Sequence, residues 1–214
     1  MEGSALLLAN RCGLFHLSAR RRASYRPAMI LREEQTRDRD RVGALHREAF
    51  GREHGEVVAR LVDDLRRDDP GVLSLVAEEP DQIVGHVMVS RCRLDAPRRL
   101  VDVVSLSPLG VAPRWQRRGV GSALVRRGLQ ELDVRGVPLV FLEGDPRYYS
   151  RLGFVPAVAQ GFRKPSLRIP DVAFQVVRLS AYEPWMTGTF VYSDTFWRHD
   201  CVGLRDPDPE NRSY

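Results

Sequence analysis

The sequence predicts a mixed α+β domain, and three observations lead to this fold class. Runs rich in β-branched residues predict strands, and other segments repeat their apolar residues at helical spacing. A strand–loop–helix–strand unit occupies residues 100–142, near the middle of the chain. With 214 residues, the chain fits one domain that is long enough to bury a hydrophobic core.

The first part of the domain is predicted to contain one strand and two helices. Residues 29–32 form a short apolar run typical of a strand. Apolar side chains recur every three or four positions in residues 38–50 and 55–67, which predicts two amphipathic helices. The residues that define these two faces are Val42, Leu45, Ala49, Val57, Val58, Leu61, Val62 and Leu65.

Three strands are predicted next. Residues 72–77 and 83–90 are β-branched runs on either side of Glu-Glu-Pro-Asp, which indicates a hairpin. Residues 100–111 carry apolar side chains on both faces, as a strand in the centre of a sheet does.

The second half of the domain alternates between the two kinds of element. A helix is predicted over residues 119–135, and a buried strand follows at 139–142. Residues 148–152 fit one or two helical turns. Two late strands are predicted at 172–179 and 189–192.

The ends of the chain differ from the part between them. Residues 1–28 carry five arginines and one glutamate, which is +4 of the formal net charge of +5, and have no periodic apolar face. We expect a disordered leader or an over-long gene start, with Met29 as the natural first residue. Residues 201–214 are predicted to be a C-terminal tail. The domain is therefore expected to span residues 29–200.

Composition argues against several classes of protein. No window approaches the roughly 18 consecutive apolar residues that a membrane span needs, so no membrane partner is expected. Residues 29–214 carry a net charge of only +1, which leaves little basic surface for nucleic acid. Lys164 is the single lysine, so a Walker-type phosphate loop is excluded and Schiff-base chemistry would rest on that residue alone. Three scattered cysteines favour reduced thiols and a cytoplasmic location.

The most informative stretch is the loop that follows the predicted central strand. It contains Gln116, Gly119 and Gly121 in the pattern Q-x-x-G-x-G and opens directly into a helix. The first N–H groups of a helix have no partners within the helix, and they carry the positive end of its dipole. Glycines there let a phosphate group approach these donors. A dinucleotide-binding fingerprint would need a further glycine at the position of Leu124.

Two segments of the chain together resemble the GNAT superfamily of N-acetyltransferases. Residues 109–122 are similar to its acetyl-coenzyme A (acetyl-CoA) motif, and residues 144–154 (GDPRYYSRLGF) are similar to its Y-x-x-L-G-F motif. The form Gly-Asp-Pro-x-Tyr-Tyr resembles the YhbS-like branch, and the resemblance covers residues 29–200. It implies one α/β/α sandwich domain with a mixed, mostly antiparallel central sheet, in which a splayed pair of parallel strands holds acetyl-CoA.

The resemblance assigns the acetyl-CoA contacts to the central strand and the loop. The backbone of residues 109–111 would pair with the pantetheine arm, and an amide near Leu109 or Gly110 would polarise the thioester carbonyl. Backbone amides of residues 117–122 would bind the pyrophosphate. The residues expected to bind acetyl-CoA are Leu109, Gly110, Val111, Gln116, Arg117, Arg118, Gly119, Val120, Gly121 and Ser122.

The resemblance also implies catalytic roles. Tyr149 holds the position that the superfamily uses for the general acid that protonates the departing thiolate, while Tyr148 is expected to point elsewhere on a helix. Glu143 and Asp145 follow the strand next to the thioester strand, and either could be the base that deprotonates the amine. Asp145 could equally be a helix cap ahead of Arg147.

A metal site is not expected. His46, Glu48, His54 and Glu56 lie close together in the sequence but lack the spacing of metal ligands on a helix. We expect these four side chains to be solvated residues of the two early helices.

The predicted function is acetyl-CoA-dependent N-acetyl transfer by direct attack of a primary amine within a ternary complex. No cysteine lies in the motifs as an acyl carrier. The acceptor, a small-molecule amine or an amine of a peptide or protein, has no signature in the sequence, and neither does the oligomeric state. The alternative from another class is a non-catalytic domain of the same fold that binds acyl-CoA as a sensor or partner.

Overall fold

A mixed β-sheet forms the centre of the computed structural model, which describes residues 29–68, 73–80 and 82–204. The nine strands within these residues are β1 Ile30–Glu33, β2 Leu73–Glu79, β3 Gln82–Asp95, β4 Leu100–Val111, β5 Leu139–Glu143, β6 Val155–Pro156, β7 Phe162–Arg163, β8 Phe174–Arg178 and β9 Gly188–Val191. The α-helices are α1 Arg39–Phe50, α2 Arg52–Asp68, α3 Val120–Val134, α4 Pro146–Tyr149 and α5 Asp194–Arg198. The predicted leader, residues 205–214 of the predicted tail, and turn positions 69–72 and 81 lie outside the described residues.

The strands follow the order β1-β2-β3-β4-β5-β8-β6, and β9, itself paired with β7, adds to the end of β3. Neighbouring strands are antiparallel except for β4 with β5 and β7 with β9. Strands β2 and β3 form the predicted hairpin. The sheet confirms the predicted mixed, mostly antiparallel architecture.

Strands β4 and β5 diverge after a short paired segment. Their parallel pairing is limited to Val104 with Val140 and Ser105 with Phe141. On the other side of β4, its register with β3 shifts between Val87 and Val89. The extra residue belongs to β4 and lies next to the cis peptide that joins Ser107 to Pro108. The second half of β4 therefore leaves its edge open towards β5, which confirms the predicted splayed pair.

Two apolar cores cover the two faces of the sheet. Successive residues of β2 point to opposite faces, so Leu75 belongs to one core and Val76 to the other. Helices α1 and α2 contribute to the core that contains Val76, and α3 contributes Leu124 to the core that contains Leu75. Each fully buried leucine stabilises the fold by about 1.5–3 kcal/mol. Helices on both faces confirm the predicted α/β/α sandwich.

Candidate active site

The loop after β4 presents backbone N–H groups at the start of α3. Gly119 is the N-cap of α3 and adopts a left-handed conformation with φ 86°, and Arg117 also has a positive φ of 58°. Backbone of this kind curls successive N–H groups towards one side, a geometry that binds anions. The N–H of Ala123 donates to the carbonyl of Gly119 over 2.9 Å, so the amides of residues 120–122 are those that point out of the helix end.

A cavity of about 520 Å³, the first cavity, opens in front of this helix end. Its wall includes Leu109 and Val111 of β4, the loop after β4 and the side chain of Arg151. The positive end of the α3 dipole and the guanidinium groups of Arg117 and Arg151 make this cavity favourable for phosphate groups.

Gly121 keeps the first cavity open. A Cβ atom at this position would lie 2.7 Å from the hydroxyl of Tyr148, so a larger residue would fill the space in front of the amides. The Ser122 hydroxyl lies 3.4 Å from the same hydroxyl, to which it donates. The donors and the space at the helix end therefore fit a diphosphate.

The open edge of β4 supplies further polar groups to the first cavity. The Ala112 N–H donates to the Val84 carbonyl of β3 over 3.0 Å, and His86 lies opposite Gly110. Because alternate residues of an antiparallel pair bond to the partner strand, the polar backbone groups of Leu109 and Val111 point away from β3 into the gap. Gln116 fixes the loop there, since its side-chain amide donates to the Val111 carbonyl over 3.0 Å.

A second cavity, of about 270 Å³, lies on the other side of Leu109, which lines both cavities. Tyr149 and Glu143 line this second cavity. Burial raises the pKa of the Tyr149 hydroxyl, so the phenol stays protonated at neutral pH.

Glu143 is held in a fixed position in the second cavity. The Tyr192 hydroxyl donates to its Oε1 over 2.9 Å, and the Gly203 N–H donates to its Oε2 over 3.1 Å. Burial raises the pKa of the Glu143 carboxyl, and these two hydrogen bonds offset part of that rise.

Comparison with known proteins shows the family to which this chain belongs. A family profile described as "Acetyltransferase (GNAT) domain" matches residues 31–157. YhbS of Escherichia coli strain K12, an uncharacterised N-acetyltransferase, is 35% identical over 155 residues, which cover 71% of this chain and 88% of YhbS. This chain belongs to the GNAT family of N-acetyltransferases.

Solved structures of GNAT proteins share this fold. The crystal structure of Escherichia coli YhbS in complex with CoA is 32% identical, with a TM-score of 0.71, and the match covers 79% of this chain and 92% of that one. A GNAT acetyltransferase from Brucella melitensis in complex with acetyl-CoA is 28% identical, with a TM-score of 0.64, and the match covers 79% of this chain and 98% of that one.

The first cavity of this GNAT domain brings together most of the residues predicted to bind acetyl-CoA. Those that line it are Leu109, Val111, Gln116, Arg117, Gly119, Val120, Gly121 and Ser122. Gly110 does not line it, because its polar backbone groups face β3. Arg118 does not line it either, and its guanidinium packs over the Trp115 ring, 5.4 Å from the ring centroid.

Three residues that line the first cavity were not predicted from the GNAT motifs, namely Trp115, Tyr148 and Arg151. Tyr148 lines the first cavity and Tyr149 the second, and the two rings meet edge to face with 4.8 Å between their centroids. Positions 148 and 151 lie on one face of a helical turn, so helical spacing alone could have paired Arg151 with Tyr148.

In this GNAT domain the Asp145 carboxylate caps helix α4. Its Oδ1 accepts the Arg147 N–H over 2.9 Å and caps α4, and the Arg147 side chain lowers the pKa of the carboxyl. It is exposed and lines neither cavity. The cap that the sequence suggested as the alternative for Asp145 is therefore formed.

The first residues of the predicted C-terminal tail, 201–204, pack against the domain, and Val202 is fully buried. Cys201, Gly203 and Leu204 were assigned to it but line the second cavity, and the Gly203 N–H is one of the two donors to Glu143. The short helix α5 was not predicted, and it precedes this segment directly.

The expectation that His46 is solvated is wrong. Its side chain is fully buried, and its Nε2 lies 2.8 Å from Nδ1 of His86, which is also fully buried. Nε2 of His86 lies 2.9 Å from the Ser74 hydroxyl, which donates to the Glu34 carboxylate. Helical periodicity could have indicated this position, since His46 follows the buried Leu45 and lies four residues after Val42.

Of the four residues expected to be solvated, the remaining three are at least partly exposed. Glu48 and His54 are exposed, and the Glu56 carboxylate accepts a hydrogen bond from Arg47 over 2.6 Å. Within the described part of the chain, no three His, Cys, Asp or Glu side chains are grouped so that they could hold a metal ion. Nor does that part contain a helix with the length and apolar character that a membrane crossing requires.

Proposed function

We propose that this chain transfers the acetyl group of acetyl-CoA to a primary amine by direct attack in a ternary complex. The observation that carries the proposal is the meeting of the two cavities at Leu109, with the helix end on one side and Tyr149 with Glu143 on the other. Acetyl-CoA, when bound along the first cavity, supplies the acetyl thioester. Residues of the second cavity then act on the amine and on the departing sulfur.

The amide of Leu109 is the donor we assign to the thioester carbonyl. The preceding residue is Pro108, which has no N–H, and the Gly110 amide faces β3. A donor fixed in this way costs little reorganisation when negative charge develops on the carbonyl oxygen.

Tyr149 is the acid we assign to the leaving group. The leaving thiol has a pKa of about 8.5 and an ordinary phenol one of about 10, so the phenol is the weaker acid and its proton moves to the sulfur only as the bond between carbon and sulfur breaks. The raised pKa of Tyr149 keeps that proton available across the physiological range.

Glu143 is the base we assign to the amine. An alkyl ammonium with a pKa of about 10.4 is only about 0.04% neutral at pH 7, which costs about 4.6 kcal/mol. A carboxylate whose pKa is raised by burial accepts the ammonium proton more readily than an exposed one, and Glu143 is in that state.

The proposal is tested by thiol release from acetyl-CoA with a panel of amines, for the wild type and Tyr149→Phe. Phenylalanine keeps the aromatic ring, so CoA affinity measured by calorimetry should stay level. The turnover number should fall by about 10²-fold or more, because the thiolate loses its proton donor. The defect should shrink with an acyl donor whose leaving thiol has a lower pKa. CoA binding without amine-dependent thiol release would instead support an acyl-CoA sensor.

A further inference from the structure

The loop between β7 and β8 is held in place on both sides of Arg168, which is partly buried. The Arg168 N–H donates to the Ser166 hydroxyl over 3.2 Å, and the next residue, Ile169, is fully buried. The Lys164 ammonium donates to the Ile169 carbonyl over 2.6 Å and pairs with Asp171. The backbone of Arg168 therefore has contacts that do not depend on the second cavity.

Arg168 contacts the C-terminal segment 200–204 at three points. Its guanidinium donates to Oδ1 of Asp200 over 3.3 Å, and its carbonyl accepts the Leu204 N–H over 3.2 Å. Gly203 lies directly against it, because a Cβ at Gly203 would be 2.8 Å from the Cβ of Arg168. Gly203 also has a φ of 66°, which favours glycine. Arg168 thus binds the segment on both sides of Gly203.

The same segment reaches Glu143 through Gly203, whose N–H donates to Oε2 of the carboxylate over 3.1 Å. The ion pair of Arg168 with Asp200 is partly exposed, so it contributes little stability by itself. Its effect is geometric, because it fixes the chain before Gly203 while the Leu204 hydrogen bond fixes the chain after it. These two contacts keep the Gly203 N–H directed at Glu143.

The pKa of Glu143 is sensitive to this arrangement. Burial raises the pKa of the carboxyl, and the Tyr192 hydroxyl, the Gly203 amide and the charge of Arg168 each oppose that rise. Burial also raises the pKa of Tyr192 and of Cys201, so both stay uncharged at neutral pH. The titratable side chains that line the second cavity besides Glu143 are His54, Tyr149, Tyr192, Asp200 and Cys201.

We propose that Arg168 is a positioning residue for Glu143, which it keeps ionised by holding the Gly203 amide on the carboxylate and by its own charge. The inference rests on the proposed function, in which Glu143 accepts the proton of the amine. Arg168 lines neither cavity, so it acts through Gly203 and across space, without touching acetyl-CoA or the amine. Without it, a buried Glu143 would take up a proton from solvent and could no longer act as a base.

A titration of Glu143 tests this inference without a substrate. In protein labelled with ¹³C-glutamate, the carboxyl signal of Glu143 is identified by its loss in Glu143→Gln. Arg168→Met removes the charge and the donor to Asp200 but keeps an unbranched side chain. It should raise the pKa of Glu143 by about one unit. Arg168→Lys keeps the charge and should leave the pKa near that of the wild type.

A matched control and an activity profile complete the experiment. Arg163→Met removes the same charge at an exposed residue of β7 that lines neither cavity, and it should leave the pKa of Glu143 unchanged. In the thiol-release assay, the acidic limb of kcat/KM should move to higher pH in Arg168→Met by as much as the pKa does, because Glu143 must be ionised to accept a proton. A loss of structure alone would lower kcat/KM at every pH without moving the limb.

The outcomes separate this inference from the proposed function. An unchanged Glu143 pKa in Arg168→Met, or an equal rise in Arg163→Met, would overturn the inference while acetyl transfer stands. A limb that does not follow the pKa would mean that Glu143 is not the base, and the inference would fall with that assignment. A shifted pKa in a protein that binds CoA but releases no thiol with any amine would support the contact and show that the proposed function is wrong.

Discussion

At the scale of single residues, Gly121 leaves open the space in front of the first amides of α3, where we propose that a diphosphate binds. We expect Gly121→Val to weaken CoA binding by at least tenfold, or about 1.4 kcal/mol, because the valine side chain fills this space and displaces Tyr148. Arg117→Ala should cost less, since its exposed guanidinium makes a screened contact. Calorimetry with CoA measures both affinities. The reverse order would mean that side-chain charge, and not backbone access, dominates binding.

Glu143 and Asp145 are two residues apart but differ in what their carboxylates can do. Glu143→Gln should lower kcat/KM by about 10²-fold or more at pH 7, because the amine loses its base. The defect should shrink by about tenfold for each pH unit towards the amine pKa, since the neutral amine then becomes more abundant. Asp145→Asn is the matched control and should keep both activity and the α4 cap. A pH-independent defect in Glu143→Gln would contradict the assigned role.

The sequence predicts the position of a residue best when its contacts are with residues nearby in the chain. Gln116, Gly119 and Gly121 belong to one continuous loop, so their spacing was sufficient to predict that they lie together at the start of α3. Tyr192 and Gly203 support Glu143 from 49 and 60 positions further along the chain, and no local pattern indicates that contact.

At the scale of elements, α1 and β4 meet through a glycine and a histidine. A Cβ at Gly110 would lie 2.8 Å from Nδ1 of His46, and that ring is held from its other side by His86. We expect Gly110→Ala to lower the free energy of unfolding by about 1–3 kcal/mol, because the ring has little room to move. Denaturant unfolding measures this loss.

Two further variants identify the cause of that loss. Combining Gly110→Ala with His46→Ala should recover part of the cost, with a coupling of about 0.5–3 kcal/mol. Gly128→Ala in α3 is the control, because its Cβ would meet side chains only at 3.9–4.0 Å and alanine favours a helix. Additive costs at positions 110 and 46 would show that the two do not meet as described.

The ends of an element are predicted well where the neighbouring sequence determines them, and less well where a strand far along the chain does. The ends of β4 and α3 agree with the sequence to within one residue, because a glycine-rich loop and periodic apolar faces define them. Strand β3 continues to Asp95, five residues past its predicted end. Charged residues there alternate with the buried Cys92 and Leu94, and the partner β9 lies about 100 residues away. Strands β6 and β7 contain two residues each, which is too short for a periodic pattern.

At the scale of the whole molecule, polar groups are found in two settings, at the open edge of β4 and in the protein interior. The cavities proposed for acetyl-CoA and its acceptor lie along the open edge of β4, where polar groups reach solvent or ligand. The chain Glu34–Ser74–His86–His46 instead runs through the interior behind the same strand. Because Ser74 donates to Glu34, Nε2 of neutral His86 donates to Ser74, and Nε2 of neutral His46 donates to Nδ1 of His86. This order leaves Nδ1 of His46, next to Gly110, as an acceptor nitrogen, and it has no hydrogen-bond partner in the described residues.

This buried pair makes the stability of the molecule depend on pH. Burial lowers the pKa of His46 to about 2 and also lowers that of His86, where Glu34 opposes part of the change and Arg66 adds to it. Both histidines titrate near 6.5 in the unfolded chain, so the unfolded chain binds more protons below that pH. Stability is therefore full above pH 6.5 and is lost as the pH falls towards the folded pKa values. At pH 5.5 the loss is about 1.4 kcal/mol for each histidine that stays neutral.

Urea unfolding at pH 7.5 and 5.5 measures this dependence. Burial works against the Glu34 carboxylate, but hydrogen bonding with His86 and Ser74 and the charge of Arg66 outweigh it, so the pKa is lowered and Glu34 keeps its charge over that interval. We expect His46→Gln, whose amide can still donate to His86, to lose stability at pH 7.5 but to show about half the wild-type drop between the two pH values. His54→Gln changes an exposed histidine and should show the full wild-type drop. An unchanged drop in His46→Gln would mean that His46 becomes protonated inside the folded protein.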